Sequence, residues 1–518
     1  MLLIYPPVAK SSEAPAGIAK LAGALRGHGV SCTAADLNLE GLHFLLGELW
    51  SADDTWSRRA LRHVDKNLAA LGEPSLYQNF DRYKRAVADI NRVLEVAGRK
   101  TGVSLSLANY QDPLLSPLKS QDLLASAAWP QENIYYPFFS KRLISLIKFS
   151  NPFLIGFSLN YLSQALVTFA MIGFCRQRYP ELPVVVGGGL VTSWLSRPGA
   201  EKSGWRNLFA GLIDHLVAGP GESVLLELLR AKGVQKRLPQ IVDREFAPPD
   251  FSDFSELNHL APNRILPYAA SSGCYWNRCS FCPEKAEGNC YRPLASQIVI
   301  SELDQLVRTT RPGLIHFLDN ALSPALMRAL INQPSGVPWY GLVRFSDDLC
   351  DLEFCRKLRQ AGCLMLKLGI ESGDPQVLQA MGKGISLKQV ATVLRNLQEV
   401  GIATYVYLLF GTPTEALPEA RRTLDFIVKH CQAVTFLNLA IFNLPLYSPE
   451  SRELEVRDFY SGDLSLYGDF VHPLGWQRRE IRRFLDHEFK RHSALAPIIK
   501  RDPPSFTSNH AAFFLNSF

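Results

Sequence analysis

SSGCYWNRCSFCP, residues 271–283, places Cys274, Cys279 and Cys282 within nine residues. The run directly follows an apolar, strand-like stretch, Ile265–Ala270, and Gly273 stands at the turn. Three thiols clustered at a strand end can converge on one soft metal centre. A four-cysteine zinc site or a ferredoxin-type cluster wants a fourth ligand at matching spacing. The nearest cysteine, Cys290, lies eight residues on without a second C-x-x-C. Three ligands point to a cluster with one open iron. Tyr275, Trp276 and Phe281 would shield such a cluster from water and help set its potential. Buried or disulfide-forming cysteines are the weaker reading, because tightly spaced cysteines in a chain without a secretion signal usually bind metal or are catalytic.

On the C-terminal side of this loop, Tyr291-Arg292 precede a helical segment, Leu294–Thr309, and strand and helix patterns then alternate. Candidate strands are Leu314–Leu318, Trp339–Val343, Leu364–Ile370, Thr404–Phe410 and Val434–Phe442. With the strand before the cysteines they make six βα units, a partial barrel whose chemistry belongs at the C-terminal strand ends. Those ends carry Asp319-Asn320, Arg344, Glu371-Ser372-Gly373, Gly411-Thr412-Pro413 and Asn443. Arg344 is a candidate for binding a carboxylate or for bracing a loop. Cys290 is a weaker candidate for a hydrogen-atom donor or a ligand, and Cys363, at the start of an apolar strand, reads as core. Beyond residue 450 the barrel pattern ends. Residues 451–518 read as a helical extension and tail, with Gln477–His492 a helix burying Ile481, Phe484, Leu485 and Phe489, and with a phenylalanine-rich end, Ser505–Phe518, that would pack on the barrel or plug its mouth.

On the N-terminal side, Met1–Tyr5, Val30–Leu37, Phe153–Leu159, Leu182–Val186 and His215–Ala218 read as strands, and Ala16–His28, Ser163–Arg178 and Ser223–Ala231 as helices. Strand, helix, strand with a right-handed crossover is the opening of a parallel α/β sheet. Asp36 falls at a strand end, where such sheets bind ligands. Residues 40–148 are a helical insertion with Trp50, Trp56 and Trp129 among leucines. Gly187-Gly188-Gly189 and Gly219-Pro220-Gly221-Glu222 each follow a strand and precede a helix, which lets a ligand approach the backbone and the helix amides. The expected organisation is residues 1–242 as a Rossmann-like domain, 243–263 as a proline-rich acidic linker, 264–450 as the partial barrel and 451–518 as the extension.

The 518 residues, 47% of them apolar, are ample for two or three domains with buried cores. A net charge of +6, from 55 basic and 49 acidic residues, is too small over this length to argue for nucleic acid or an anionic membrane. No window reaches about 18 uninterrupted apolar residues and the opening MLLIYPPVAK is too short for a signal peptide, so a cytoplasmic protein without a membrane span is expected. Outside the loop, Cys32, Cys175, Cys290, Cys350, Cys355, Cys363 and Cys431 read as reduced thiols, mostly small buried hydrophobes.

The cysteine loop resembles that of the radical S-adenosylmethionine (SAM) superfamily, which holds a [4Fe-4S] cluster with SAM on the unique iron. The superfamily spacing is C-x3-C-x2-C; here the first gap holds four residues, Tyr275–Arg278, while Cys279-Ser280-Phe281-Cys282 keeps the pattern. GIESGDPQVLQAMGKG, residues 369–384, resembles the fourth-strand motif, whose acidic residue meets SAM. YLLFGTPTE, residues 407–415, resembles the fifth-strand motif beside the adenine, and Asp319-Asn320 stand in the place of the second-strand motif that holds the SAM amino group. The resemblance implies Cys274, Cys279 and Cys282 as cluster ligands, and Phe281, Asp319, Asn320, Glu371, Ser372, Gly373, Gly411 and Pro413 as SAM contacts. PPVAKSSEAPAGIAKLAGALRGHG, GFSLNY, VVVGGGLVTS and LVAGPGES, within residues 1–39 and 150–240, resemble the cobalamin-binding domain that precedes one branch of these enzymes. No D-x-H-x-x-G motif is present to supply a lower cobalt ligand. By position the resemblance implies Ser158, Asn160, Gly187, Gly188, Gly189, Thr192, Gly219, Gly221 and Glu222 as cobalamin contacts.

The resemblance implies an α/β protein: a Rossmann-like cobalamin-binding-type domain with a helical insertion, then a partial (β/α)6 radical SAM barrel and a small C-terminal extension. It implies an enzyme in which the cluster delivers one electron to SAM, giving methionine and a 5'-deoxyadenosyl radical that takes hydrogen from an unactivated carbon. With cobalamin as second cofactor the expected outcome is C-methylation; oxidative cyclisation or rearrangement is the alternative within the branch. A non-catalytic cofactor sensor would not need the SAM motifs. A methylthiotransferase would need a second cluster, for which Cys32 and Cys175 alone do not suffice. The expected partners are a small-molecule, lipid or peptide substrate and an electron donor such as flavodoxin or ferredoxin.

Overall fold

Short apolar strands, buried on both faces, are the signature of parallel sheets covered by helices, and two such sheets organise the chain. A computed structural model describes residues 1–196, 205–231, 247–457, 461–504 and 510–517. They divide into two compact units, one made mainly of Met1–Arg264, the other of Ile265–Tyr460 with Leu466–Pro503.

The first unit holds β1 (Leu2–Tyr5), β2 (Thr33–Asp36), a hairpin of β3 (Ser104–Ser106) and β4 (Asn109–Gln111), then β5 (Ile155–Ser158), β6 (Val184–Gly187) and β7 (His215–Val217). The main sheet runs β2-β1-β5-β6-β7, all parallel. This is the flavodoxin-like order, whose direction of winding reverses between β1 and β5, where ligands bind outside the strand ends. The helix Leu162–Arg178 is buried from Gln164 to Cys175, so its pattern is apolar almost all round. Helices Leu37–Gly47, Thr55–Arg62, Val64–Leu71, Phe80–Arg99, Ser120–Ala128 and Tyr136–Ser150 form the insertion. The β3–β4 hairpin within it was not expected: three residues per strand are too few to show alternation. Of the expected linker, residues 243–246 lie outside the described residues. The rest packs on the first unit, with Phe251, Phe254 and Leu260 buried and the Arg26 guanidinium reaching Asp250 and Asp253.

The second unit holds β8 (Ile265–Tyr268), a small antiparallel pair of β9 (Ser271–Ser272) and β10 (Arg292–Pro293), then β11 (Leu314–Phe317), β12 (Trp339–Val343), β13 (Cys363–Glu371), β14 (Ala403–Phe410) and β15 (Phe436–Ile441). Six parallel strands follow one another in chain order, β8-β11-β12-β13-β14-β15. Alternation sorts their two faces. One is apolar and includes Phe317 edge-on to Trp339 at 5.6 Å. The other carries polar groups: His316 stacks on Tyr340 at 4.4 Å, and Lys367 Nζ lies 2.9 Å from His316 Nε2.

The extension expected to be helical over residues 451–518 also holds strands, which corrects that expectation, and its small sheet draws in a strand from residues 444–445. β16 (Leu444–Pro445), β17 (Val456–Arg457) and β18 (Tyr467–Phe470) form an antiparallel sheet in the order β16-β18-β17. Strands of two to four residues leave no periodic trace in a sequence. The expected helix is shorter, Arg478–Phe484 continued by a wide turn Leu485–Phe489, and it buries Ile481, Phe484, Leu485 and Phe489. Of the phenylalanine-rich tail, Phe506 and Phe518 lie outside the described residues. His510 stacks on Tyr405 at 4.4 Å and Phe514 packs on Phe436, so this segment rests on the polar face of β14 and β15. Among the described residues no helix is long and apolar enough to cross a membrane.

Candidate functional site

In the first unit a cavity of about 200 Å³ lies along one face of the sheet, floored by Leu3, Gly156, Val185 and Val217 and roofed by Gly17, Leu21 and Leu225. Its polar end is at the C-terminal strand ends. Of the nine residues implied as cobalamin contacts, Ser158, Asn160, Gly187, Gly188, Gly219, Gly221 and Glu222 line it. Gly189 and Thr192 stand just behind: Asn160 Oδ1 accepts from Gly189 N at 2.9 Å, and Thr192 Oγ1 accepts from Gly219 N at 2.9 Å. Gly188 has φ +111°, and a Cβ there would lie 2.5 Å from the Leu159 carbonyl oxygen and 2.8 Å from Asn160 Oδ1. Glu222, almost fully buried, is paired with Lys20 at 2.9 Å. Asp36 is turned away from this cavity. It caps a helix at Leu39 N and pairs with His259 Nε2 at 3.2 Å. Gly17, Lys20 and Gly156 lie inside the runs that carry the resemblance but were not named as contacts; a glycine inside a strand, such as Gly156, signals close approach.

In the second unit the cysteine loop is tied at both ends. β9 pairs with β10, and Gly273, at φ +69°, passes the chain so close to Cys290 that a Cβ would lie 2.5 Å from its carbonyl oxygen. Asp319 Oδ2 accepts from Ala270 N at 3.0 Å and Oδ1 accepts from Ser271 Oγ at 2.5 Å, while Asn320 Nδ2 donates to Gly273 O at 3.4 Å. Burial holds the Asp319 carboxyl above the usual range, against those hydrogen bonds. The second-strand pair thus braces the loop itself.

All ten cysteines are free thiols. Cys279 is buried and Cys274 and Cys282 are half-buried. Burial pushes the Cys279 thiol up while Lys383 and Arg344 pull it down; for Cys282 the opposing pull comes from the backbone N–H groups of Lys285 and Glu284. Among the described residues no three His, Cys, Asp or Glu side chains converge on a single ion. The three thiols still lie near one another, since Cys274 acts on Cys279 and Cys279 on Cys282. A cluster takes one thiolate per iron and needs no single shared point, and soft thiolates with cations and amide N–H groups beside them fit such a group.

Around the loop, β13 ends in a bulge between Gly369 and Glu371, and Glu371 adopts φ +66°. Its carboxylate meets Lys383 Nζ at 2.7 Å, with both side chains largely buried, and Lys383 lies 5.5 Å from the centre of the Phe281 ring. Ser372 and Gly373 turn inward instead. Thr423 Oγ1 sits 3.2 Å from Ser372 Oγ and accepts from Gly373 N at 2.8 Å, and Asp374 caps the next helix. Gly411 has φ +84° and donates its N–H to the Glu415 carboxylate; Pro413, two residues on, is half-buried. Burial pushes the Glu415 carboxyl up to about 8, against the hydrogen bond from Gly411. Cys290 is exposed and Cys363 is buried. Lys383 and Thr423 were not singled out from the sequence, although Lys383 lies inside the run 369–384.

Residues 268–427 match the family model of the Radical SAM superfamily. The match lies wholly within the second unit, which carries a radical SAM domain. The chain is 25% identical over 345 residues to the hopanoid C-3 methylase of Methylococcus capsulatus, covering 60% of this chain and 64% of that protein, just under two thirds of its length. Two solved structures share its fold. The cobalamin-dependent SAM radical enzyme OxsB, with aqua-cobalamin bound, superimposes with a TM-score of 0.53 at 17% identity over 67% of this chain and 60% of its own. The radical SAM methyltransferase TsrM of Kitasatospora setae, with tryptophan and a SAM analogue bound, gives 0.53 at 17% identity over 89% of this chain and 78% of its own.

Proposed function

We propose that this protein is a cobalamin-dependent radical SAM methyltransferase acting on an unactivated carbon. The observation that carries the reading is the cavity at the switch point of the first sheet, bounded by glycine-bearing strand ends, in the same chain as a radical SAM domain. Cys274, Cys279 and Cys282 would hold a [4Fe-4S] cluster. Asn320, Glu371 with Lys383, Phe281, Gly411 and Pro413 would face SAM, while Asp319, Ser372 and Gly373 set the backbone behind them. Ser158, Asn160, Gly187, Gly188, Gly219 and Gly221 would receive cobalamin, with Gly189, Thr192 and Glu222 fixing its surroundings. When bound, these groups supply a one-electron route to a carbon radical and a methyl carrier; the protein supplies orientation and exclusion of water. The methylase relative supports methyl transfer as the outcome. The substrate would be a small molecule, lipid or peptide, and the electron donor a flavodoxin or ferredoxin.

The test is anaerobic purification with reconstitution, followed by iron and cobalt analysis and by transfer of label from methyl-labelled SAM. About four irons with stoichiometric cobalt and label appearing in an acceptor support the reading. Iron without cobalt removes cobalamin from it, and label retained on SAM through turnover removes methylation.

A further inference from the structure

We propose that Arg344 is a positioning residue that fixes a positive charge against Cys279 and so raises the reduction potential of the cluster, and that Trp276, in the four-residue gap of the cysteine loop, aims it. The inference rests on the cluster reading given above. Arg344 follows β12 and is 8% exposed. Its guanidinium carbon lies 4.1 Å from the centre of the Trp276 ring, an arrangement suited to a planar cation. One guanidinium nitrogen, Nη2, donates to the Lys383 carbonyl, and the other, Nη1, points at Cys279 Sγ from 3.9 Å. None of these partners is a carboxylate. The neighbouring cation, Lys383, is already matched by Glu371, so the charge that Arg344 brings is left for the sulfur.

Trp276 is itself fixed. Its Nε1 donates to Gly382 O at 3.0 Å, Arg278 stands 5.0 Å from its ring centre, and Gly384 leaves the space that the indole fills. Asn277, at φ +44°, turns the chain between Trp276 and Cys279. The gap of four residues thus gives the loop room to present an indole to the guanidinium. Reduction adds one electron to the cluster from an external reductant, with no bond broken and no proton moved. A cation held close by stabilises the more negative, reduced form, and hydrogen bonds to the sulfurs act in the same direction.

The test compares wild type, R344Q, R344K and W276L, reconstituted anaerobically, by iron content, by thermal melting and by an electron-paramagnetic-resonance titration with dithionite. For R344Q the expected result is retained iron with a reduced-to-oxidised ratio at fixed potential about tenfold lower, equivalent to about 59 mV for a one-electron couple. R344K should recover most of that loss, and W276L, which keeps the charge but frees it, should lose less than R344Q. A wild-type ratio in iron-loaded R344Q, or R344K no better than R344Q, overturns the proposal. Should R344Q fail to fold or to hold iron, W276L decides: a ratio equal to wild type overturns the proposal and a lowered one supports it. A wild-type chain that takes up no iron overturns the cluster reading and this inference with it.

Discussion

In the first unit the strand ends carry glycine, and the recess is defined by side chains that are missing; in the second they carry cysteine, carboxylates and cations that are tied to one another. The first arrangement leaves room beside backbone amides and a sheet face, as a large, mostly neutral ligand needs. The second fixes charges around a short loop, as an anionic centre needs. A shared architecture, parallel strands with function at their C-terminal ends, can therefore host two chemistries through what stands at those ends.

Substitution can separate the two. The largest effect is expected from Cys279→Ala, which should lose nearly all iron while cobalt stays at the wild-type level; equal loss of both metals would show that the units do not bind independently. Next, Gly188→Val should abolish cobalt binding with iron intact, because no Cβ fits beside the Leu159 carbonyl; cobalt retained at wild-type stoichiometry would mean that the recess is not the cobalamin site. Glu371→Gln leaves Lys383 without its counter-charge and should weaken SAM binding about tenfold, or ~1.4 kcal/mol, as read by calorimetry on the iron-loaded protein.

A further prediction concerns stability. The folded-state pKa of Glu415 lies near 8, above the value near 4.3 of an exposed glutamate, so between those values the folded chain binds the extra proton. Stability should therefore fall as pH rises through that window, by an amount on the order of a few kcal/mol. Glu415→Gln should flatten the slope of melting temperature against pH from 5 to 9. An unchanged slope would locate the titration elsewhere.

The sequence reveals these two regions unequally, for a physical reason. Cysteine at short spacing has few uses, so Cys274, Cys279 and Cys282 announce a metal site directly, and the six parallel strands of the second sheet show as apolar runs. Glycine has many uses. Only the order of Gly187–Gly189 and Gly219–Gly221 along a parallel sheet distinguishes a recess from ordinary turns, and Gly17 and Gly156, within a helix and a strand, sit in longer runs in which nothing sets them apart. The contacts that set the loop were not legible at all. Lys383 meets Glu371 twelve residues away through a strand bulge, and Arg344 reaches Cys279 across 65 positions. The antiparallel strands after residue 443 are too short for periodicity to register.

The ties on the cysteine loop bear on how the protein would be assembled. The β9–β10 pair, Asp319, Asn320 and the Trp276–Gly382 bond are all contacts between protein groups, so the cost of ordering the loop is met by the fold and not by iron. On the cluster reading, delivering the metal would be a filling step on a loop already tied to its neighbours.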